Sequence, residues 1–237
     1  MFIKLSTMIT KLFPEQRLAT AIEDNPSLLF MLEYFNISHP IKHKTIANIC
    51  AESQINPHLM ILIGDMYNGE TGQPDITHIT EEDIPTILSF LKNTHKQYIK
   101  EKYPEIETLI GRLKEISNPI EFTQIETFFR EYFAEVIEHL DYEDKYAFPY
   151  FYEMLSNNRV TNHSFSAAEY KNHHSDIETK LSDLKTLLLQ HISMEKGISI
   201  RRKILLKLFE LQKDLTVHSR IEEQILLPIV ERLEYRR

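Results

Sequence analysis

The sequence predicts an all-α protein, with a small helical amino-terminal domain at residues 1–72, a linker at 73–80 and an up-down-up-down four-helix bundle at 81–237. Only five of the 237 residues are glycine, and long stretches rich in Glu, Lys, Leu and Ile favour helices. After residue 80, apolar residues recur with the helical period in four long segments. Two of the five glycines and Pro74 lie within residues 68–75, which separates the two units.

The amino-terminal domain is predicted to contain short helices. Apolar faces occur at residues 19–22 and 28–32, and Asn25-Pro26 is typical of a helix start. The first bundle helix is predicted to begin at Thr80, where Thr80-x-x-Asp83 resembles a capping box, and to run toward Leu113.

The other three bundle helices have start signals of the same kind. The second is predicted to begin at Asn118-Pro119, and the third near Ser166-x-x-Glu169, ending at about His191. The fourth follows Gly197 and runs through Ile229. The short connections make sequential helices antiparallel.

Composition limits the classes of function. The net charge of −8 argues against broad nucleic-acid binding, which needs clustered positive charge. Cys50 is the only cysteine, so neither an intrachain disulfide nor a thiolate metal cluster can form. No apolar stretch approaches the roughly 18 to 20 residues of a membrane span, and no signal peptide is apparent. A soluble protein of the reducing cytoplasm is expected, without a membrane partner.

A set of polar residues recurs along the chain at a constant offset in residue number (174 − 95 = 79). His95 corresponds to His174, and in each half a His-x-x-x-Glu motif follows at the same spacing (139 − 95 = 44 and 218 − 174 = 44). A proline stands ten positions after each motif histidine, at Pro149 and Pro228. Such a repeat indicates one structural unit used twice, which core histidines alone would not produce. The predicted metal ligands are His95, His139, Glu143, His174, His218 and Glu222.

The spacing places the histidines at one level of the bundle. The first connection is expected near Ser117, so that helical segments of about 22 and 21 residues, each roughly 32 Å long, join it to His95 and His139. The second hairpin repeats this geometry. Within each motif the His and Glu stand four positions apart, so they share one helix face.

The donor set favours particular metals. Imidazole and carboxylate without thiolate suit iron, manganese or zinc. A carboxylate can bridge two cations, and two histidines per metal leave room for an oxo or hydroxo bridge and an open position. We expect two iron ions, with manganese and zinc as alternatives. Ferritin-like bundles use Glu-x-x-His, and no glutamate stands three positions before these histidines.

His173 and His174 compete for one ligand position. The repeat selects His174, because the offset between His95 and His173 falls one short of the repeat (173 − 95 = 78). His173 is therefore expected to be a neighbouring or solvent-facing residue.

With these motifs in this order, residues 80–237 resemble the hemerythrin-like di-iron domain. Four histidines and two glutamates are closer to the bacterial repair of iron centres (RIC) proteins than to oxygen-carrying hemerythrin, which has a fifth histidine. The resemblance implies terminal ligands at His95, His139, His174 and His218, and bridging ligands at Glu143 and Glu222.

Residues 1–70 also resemble the small amino-terminal domain of RIC proteins. The similar stretches are Leu18-Ala-Thr-Ala-Ile-Glu-Asp-Asn-Pro26, Leu32-Glu-Tyr-Phe-Asn-Ile37 and Lys44-Thr-Ile46. Members commonly carry adjacent cysteines where this chain reads Ser38-His-Pro-Ile-Lys-His43. Cys50 lies elsewhere, so the thiol chemistry of that domain is not implied for this chain.

The resemblance implies a non-haem di-iron protein of the nitrosative and oxidative stress response. It would repair iron-sulfur centres, donate iron, or handle nitric oxide, O2 or peroxide. Expected partners are those small ligands and iron-sulfur client proteins, with a homodimer as an alternative to a monomer. Whether the site turns over nitric oxide or peroxide as an enzyme is left open. The alternative function is a diatomic-gas sensor or binding module that signals through the amino-terminal domain.

Overall fold

The computed structural model describes residues 11–37, 40–116, 119–155, 166–168, 170, 177–191 and 197–236, and it confirms the predicted all-α fold. Within these residues, the only pairing of extended chain is an isolated bridge between Arg17 and Thr45. The amino-terminal unit contains α1 (Leu18–Asp24), α2 (Leu28–Tyr34), α3 (Ile46–Ser53) and α4 (Pro57–Tyr67).

Four bundle helices follow, and each contains a π turn, a single wider turn of helix. Bundle helix 1 comprises α5 (Ile84–Gln97), a π turn (Tyr98–Lys102) and α6 (Tyr103–Ile116). Bundle helix 2 comprises α7 (Pro119–Tyr142), a π turn (Glu143–Ala147) and α8 (Phe148–Leu155). The described part of bundle helix 3 comprises α9 (Ile177–Thr186) and a π turn (Leu187–His191). Bundle helix 4 comprises α10 (Ile198–Ile221), a π turn (Glu222–Leu226) and α11 (Leu227–Tyr235).

Local sequence explains where these helices begin. The predicted capping box at Thr80 and Asp83 is confirmed: it opens a short 3₁₀ turn (Glu81–Asp83) that leads into bundle helix 1. Gly197 precedes bundle helix 4 with φ of 80°, a left-handed conformation that glycine adopts readily. The other predicted capping residues, Asn118 and Glu169, lie outside the described residues.

Pairs of side chains show that neighbouring helices are antiparallel. Between bundle helices 1 and 2, Lys114 pairs with Glu126, and further from the connection Tyr103 donates a hydrogen bond to Tyr132. Bundle helix 4 also lies beside bundle helix 1, where Lys207 pairs with Glu105. The helices therefore form the up-down-up-down arrangement predicted from the short connections.

Two apolar clusters fill the bundle, with a polar layer between them. One cluster includes Tyr98, Leu140 and Leu215, together with the residues toward the connection between bundle helices 1 and 2. The other includes Leu91 and Ala147 and is continuous with the core of α1 to α4. The predicted ligands among the described residues lie between these clusters and form this polar layer, the candidate metal layer: His95, His139, Glu143, His218 and Glu222.

The amino-terminal unit is joined to the bundle by polar contacts as well as apolar ones. The hydroxyls of Tyr34 in α2 and Tyr67 in α4 both donate hydrogen bonds to the buried carboxylate of Asp214 in α10. The predicted linker at residues 73–80 joins α4 to bundle helix 1 without a helix of its own. The division into a domain at 1–72 and a bundle at 81–237 stays a prediction, because both units share one apolar cluster.

Cys50 is a core residue of the amino-terminal unit. Its side chain is buried in α3, and its sulfur lies 3.5 Å from the sulfur of Met60. Burial raises the pKa of the thiol to about 11, so it stays protonated. None of the helices in the described part of the chain has the length and apolarity needed to cross a bilayer.

Candidate metal centre

Five of the six predicted ligands lie within the described residues. His95 comes from bundle helix 1, His139 and Glu143 from bundle helix 2, and His218 and Glu222 from bundle helix 4. The sixth, His174, lies outside the described residues, as does its competitor His173.

Glu143 is the centre of the group. Its Oε2 atom lies 3.2 Å from Nε2 of His95 and 4.0 Å from Nε2 of His218, while its Oε1 atom lies 3.0 Å from Nε2 of His139. Nε2 of His218 also lies 3.3 Å from Oε1 of Glu222. One carboxylate therefore faces imidazoles from three helices, which is the arrangement that a bridging ligand requires.

The side chains are removed from water. Glu143 and Glu222 are 0% exposed and His95 is 1% exposed, and the rings of Phe148 and Tyr98 cover His95 and His218. Burial of carboxylates is costly unless a positive charge compensates them. Ligand atoms from His95, Glu143 and His218 lie within 4.8 Å of one another, close enough to hold one ion.

His218 provides a test of whether these residues fit a cation. The Thr94 hydroxyl donates to the carbonyl oxygen of Leu91 (2.7 Å), so at 2.8 Å it accepts the hydrogen of Nδ1 of His218. In the neutral ring, Nε2 then carries a lone pair toward Glu222, and this buried atom makes no hydrogen bond. A lone pair facing a carboxylate is stabilised by a positive charge between them, and a metal ion fits that position.

His95 lies between two carboxylates. Its Nδ1 atom lies 3.3 Å from Asp144, which leaves Nε2 directed at Glu143. Burial lowers the pKa of His95, but the carboxylates of Asp144 and Glu143 outweigh it and raise the pKa to about 9. A cation would take the place of this proton, because a ligating imidazole is neutral.

The carboxylate of Glu143 has a further partner in Tyr170. The phenol of Tyr170 is buried and donates a hydrogen bond of 2.9 Å to Oε1 of Glu143. Burial and the carboxylates of Glu143 and Glu222 raise the pKa of Tyr170 well above its usual value, so it remains a donor. Burial and Glu222 act to raise the pKa of Glu143, but His139 and His95 lower it overall, so the carboxylate is ionised.

The repeated prolines account for the position of the glutamates. Glu143 and Glu222 are each the first residue of a π turn, and Pro149 and Pro228 follow each turn at the second residue of the next helix. Proline has no N–H and crowds the preceding turn, and a π turn relieves that conflict. Pro104 follows the π turn Tyr98–Lys102 in the same way. The prolines thus mark the backbone irregularity from which both glutamates project.

Three supporting residues were not predicted from the sequence. Thr94, Asp144 and Tyr170 each contact a predicted ligand from a neighbouring position or another helix. Asp144 follows Glu143 directly, and an acidic residue also follows Glu222, which was a usable signal. Thr94 and Tyr170 have no counterpart of their own type at the repeat offset, so the repeat could not reveal them.

A four-helix bundle in which buried His and Glu side chains converge defines a cation-binding protein of the hemerythrin class. The family described as the hemerythrin HHE cation binding domain matches residues 86–230, and the chain belongs to this family. The chain is also similar to the iron-sulfur cluster repair protein ScdA of Staphylococcus haemolyticus (strain JCSC1435). The two are 18% identical over 193 residues, which cover 81% of this chain and 82% of that protein. No solved structure matches the chain.

Changing Thr94 to valine is expected to weaken metal binding by about 10- to 100-fold, the usual cost of removing a partner that orients a ligating histidine. The valine cannot accept the Nδ1 hydrogen of His218, so neither the tautomer nor the ring orientation is fixed. Affinity is measured by competition with a chromogenic chelator. Thr94→Ser keeps the hydroxyl and should bind like the wild type, and a Thr94→Val variant of unchanged affinity would contradict the prediction.

Proposed function

We propose that the centre holds two iron ions, with His95, His139, His174 and His218 as terminal ligands and Glu143 and Glu222 as bridges. The position of Glu143 among imidazoles from three helices carries this proposal. The absence of thiolate and the mixed nitrogen and oxygen donors favour iron over copper(I), while manganese and zinc suit the same donors.

The predicted ligands and the residues around them have different roles. The imidazoles of His95 and His218 are expected to bind an ion through Nε2, because Asp144 and Thr94 occupy their Nδ1 sides. Tyr170 holds a proton at its phenol oxygen and fixes the orientation of the Glu143 carboxylate. The apolar rings of Phe148 and Tyr98 exclude water from the histidines. Bound iron would supply redox electrons and an open position for a small ligand such as nitric oxide, O2 or peroxide.

The function that we propose is the repair of iron-sulfur centres, by donation of iron under nitrosative or oxidative stress. The similarity to an iron-sulfur cluster repair protein over most of both chains supports it. The donor set is compatible with it, because imidazole and carboxylate suit iron. We also expect the protein to act in the cytoplasm, where such client proteins are synthesised.

Iron transfer to a damaged cluster tests this function. An enzyme whose [4Fe–4S] cluster has been oxidised to the [3Fe–4S] form is mixed with the iron-loaded protein and a reductant. Recovery requires one iron(II) and one electron per cluster. The activity of that enzyme measures the recovery. Recovery faster than with the same concentration of free iron(II) and reductant supports donation. Equal rates would contradict it.

The alternative function is a sensor of diatomic gases that signals through the amino-terminal unit. The contact of Tyr34 and Tyr67 with Asp214, on the same helix as His218, favours this second candidate. Nitric oxide or peroxide is added to the iron-loaded protein and its decay is followed. Stoichiometric binding without turnover supports a sensor, whereas catalytic decay supports an enzyme.

The assignment of His174 can be tested against its neighbour. His174→Ala is expected to lower the iron content, whereas His173→Ala should leave it intact, because only His174 stands at the repeat offset from His95. Both variants are loaded with iron under identical conditions and analysed for metal per chain. An equal loss of iron from both would contradict the register of the repeat.

A further inference from the structure

A buried polar group joins the amino-terminal unit to the metal-bearing helices. The carboxylate of Asp214 is 1% exposed and accepts hydrogen bonds from Tyr34 (2.6 Å), Tyr67 (2.5 Å) and the ammonium of Lys102 (2.5 Å). We name these four residues the Asp214 cluster. The ammonium of Lys102 also lies 3.9 Å from the centre of the Phe30 ring in α2. Two phenols and one aromatic ring of the amino-terminal unit thus contact two charged side chains of the bundle.

The Asp214 cluster lies one helical turn from the metal layer on two helices. Asp214 precedes His218 by four positions in α10, so both occupy one face of that helix. Lys102 follows Tyr98 by four positions, and the Tyr98 ring packs against His218 at 5.9 Å. The cluster therefore lies where bundle helices 1 and 4 approach each other beside His218.

Other contacts from the amino-terminal unit flank His95. The amide of Asn93, two positions before His95, donates a 2.8 Å hydrogen bond to the carbonyl oxygen of Tyr34. Gln97, two positions after His95, donates a hydrogen bond to Glu33. The amino-terminal unit therefore holds bundle helix 1 on both sides of this ligand.

The segment that follows α4 holds the other ligand helix. The guanidinium of Arg220 donates hydrogen bonds to the carbonyl oxygens of Glu70 and Gly72. Arg220 lies midway between His218 and Glu222, so this contact falls between two predicted ligands. Residues before position 73 therefore form hydrogen bonds with bundle helices 1 and 4 beside the predicted ligands.

Stability alone is a weak explanation for such a group. A buried ion pair gains little over well-packed apolar residues of the same volume, because both charges lose their water. What a buried ion pair with defined hydrogen bonds does supply is a unique geometry. That benefit is greatest here, where the helices carry ligands that must meet one cation.

We propose that the Asp214 cluster is a positioning element of the metal centre. By fixing bundle helices 1 and 4 to the amino-terminal unit, it holds His95 and His218 in ligand geometry and slows the release of the metal. The amino-terminal unit thereby controls how firmly the centre retains iron, without a cysteine pair. The inference rests on the proposed metal ligands, but not on whether the iron goes to a repair client or serves a sensor.

The rate of iron release from the full-length protein tests this proposal. The double variant Tyr34→Phe, Tyr67→Phe removes both phenolic donors but keeps the rings, and Lys102 still pairs with Asp214. The wild type and the variant are loaded with iron(II), and transfer to an excess of a chromogenic iron(II) chelator is followed well below the unfolding temperature. We expect release about 10-fold faster from the variant, the lower end of the loss of affinity seen when a residue that directly supports a metal ligand is removed, because these phenols act on the ligands only through Asp214.

Tyr103→Phe is the matched control. It removes a buried hydroxyl from bundle helix 1, where Tyr103 donates a 3.2 Å hydrogen bond to Tyr132 of bundle helix 2 and makes no hydrogen bond to Asp214. This control should release iron at the wild-type rate. Wild-type release from the double variant, or equal acceleration by the control, would overturn the proposal. If the double variant does not fold, the rate of iron release from the Asp214→Asn variant is compared with that of the same control.

Failure of the metal assignment gives a different result. A wild type that retains none of iron(II), manganese(II) and zinc(II) contradicts the proposed ligands, and with them the positioning role. A wild type that retains a metal, with release unchanged in the double variant, contradicts the positioning role alone. An iron-loaded wild type that restores no damaged cluster leaves the release comparison valid and contradicts only the repair function.

Discussion

Changing Glu143 and Glu222 together to alanine is expected to abolish metal binding, from the two iron ions per chain proposed for the wild type to background. Glu143 faces imidazoles from three helices, and Glu222 faces His218. Without either carboxylate, the remaining imidazoles carry no negative charge to offset the charge of a buried divalent pair. Elemental analysis of protein reconstituted with iron(II) under anaerobic conditions measures the effect.

The thermal stability of the same variant gives a second measurement. A ligand at 100 times its dissociation constant stabilises the folded state by about 2.7 kcal/mol, so iron should raise the melting temperature of the wild type. The double variant should show no such rise, although the metal-free fold should form. Glu138→Ala and Glu231→Ala serve as the matched control, because both side chains are exposed and belong to bundle helices 2 and 4. Full iron occupancy of the double variant would refute the proposed centre.

Changing Asp214 to alanine is expected to reduce the free energy of unfolding by about 3–5 kcal/mol, the usual cost of leaving a buried charge without its partner. The Lys102 ammonium would stay in the core with only aromatic faces beside it, and the hydroxyls of Tyr34 and Tyr67 would lose their acceptor. Urea denaturation of the metal-free protein measures the loss. Metal-free conditions separate this effect from any change in iron affinity.

A compensating substitution tests the physical reason. If an uncompensated charge causes the loss, Lys102→Met in the Asp214→Ala background should restore a large part of the stability, because the charge is replaced by an apolar chain. Glu126→Ala, which breaks the more exposed pair with Lys114, should cost only about 0.2–1 kcal/mol. Equal losses from Asp214→Ala and Glu126→Ala would contradict the account.

The bundle could be predicted because its signals are local and repeated. The helical period, the capping pair Thr80 and Asp83, and Gly197 each act within a few residues, and the structure confirms those helix starts. The predicted ligands were selected because a second copy of the same motif stands at the repeat offset. The two π turns that begin at Glu143 and Glu222 stand at the same offset as the motifs (222 − 143 = 79), so the repeat in sequence is a repeat in backbone geometry.

The rest of the centre depends on contacts between helices, which no local pattern records. Thr94 and His218 are in contact although they are 124 positions apart in sequence (218 − 94 = 124). Tyr67 contacts Asp214 from the amino-terminal unit. Asp214 stands in a segment of alternating Leu and charged residues, where an aspartate is ordinarily on the solvent side. Only the rotational register of bundle helix 4 against α2 and α4 shows that it points inward. Residues that support a site from another element are found by structure, not by motif.

The buried thiol of Cys50 determines how the chain responds to oxidants that attack thiols. Peroxide and nitrosating agents attack the thiolate of an accessible cysteine, and Cys50 is the one cysteine of this chain, packed against Met60 and held in its protonated form. Such agents therefore find no reactive sulfhydryl here to oxidise or to link to another protein. Thiol oxidation would therefore leave the core around Cys50 unchanged under conditions in which enzymes with exposed thiolates are inactivated.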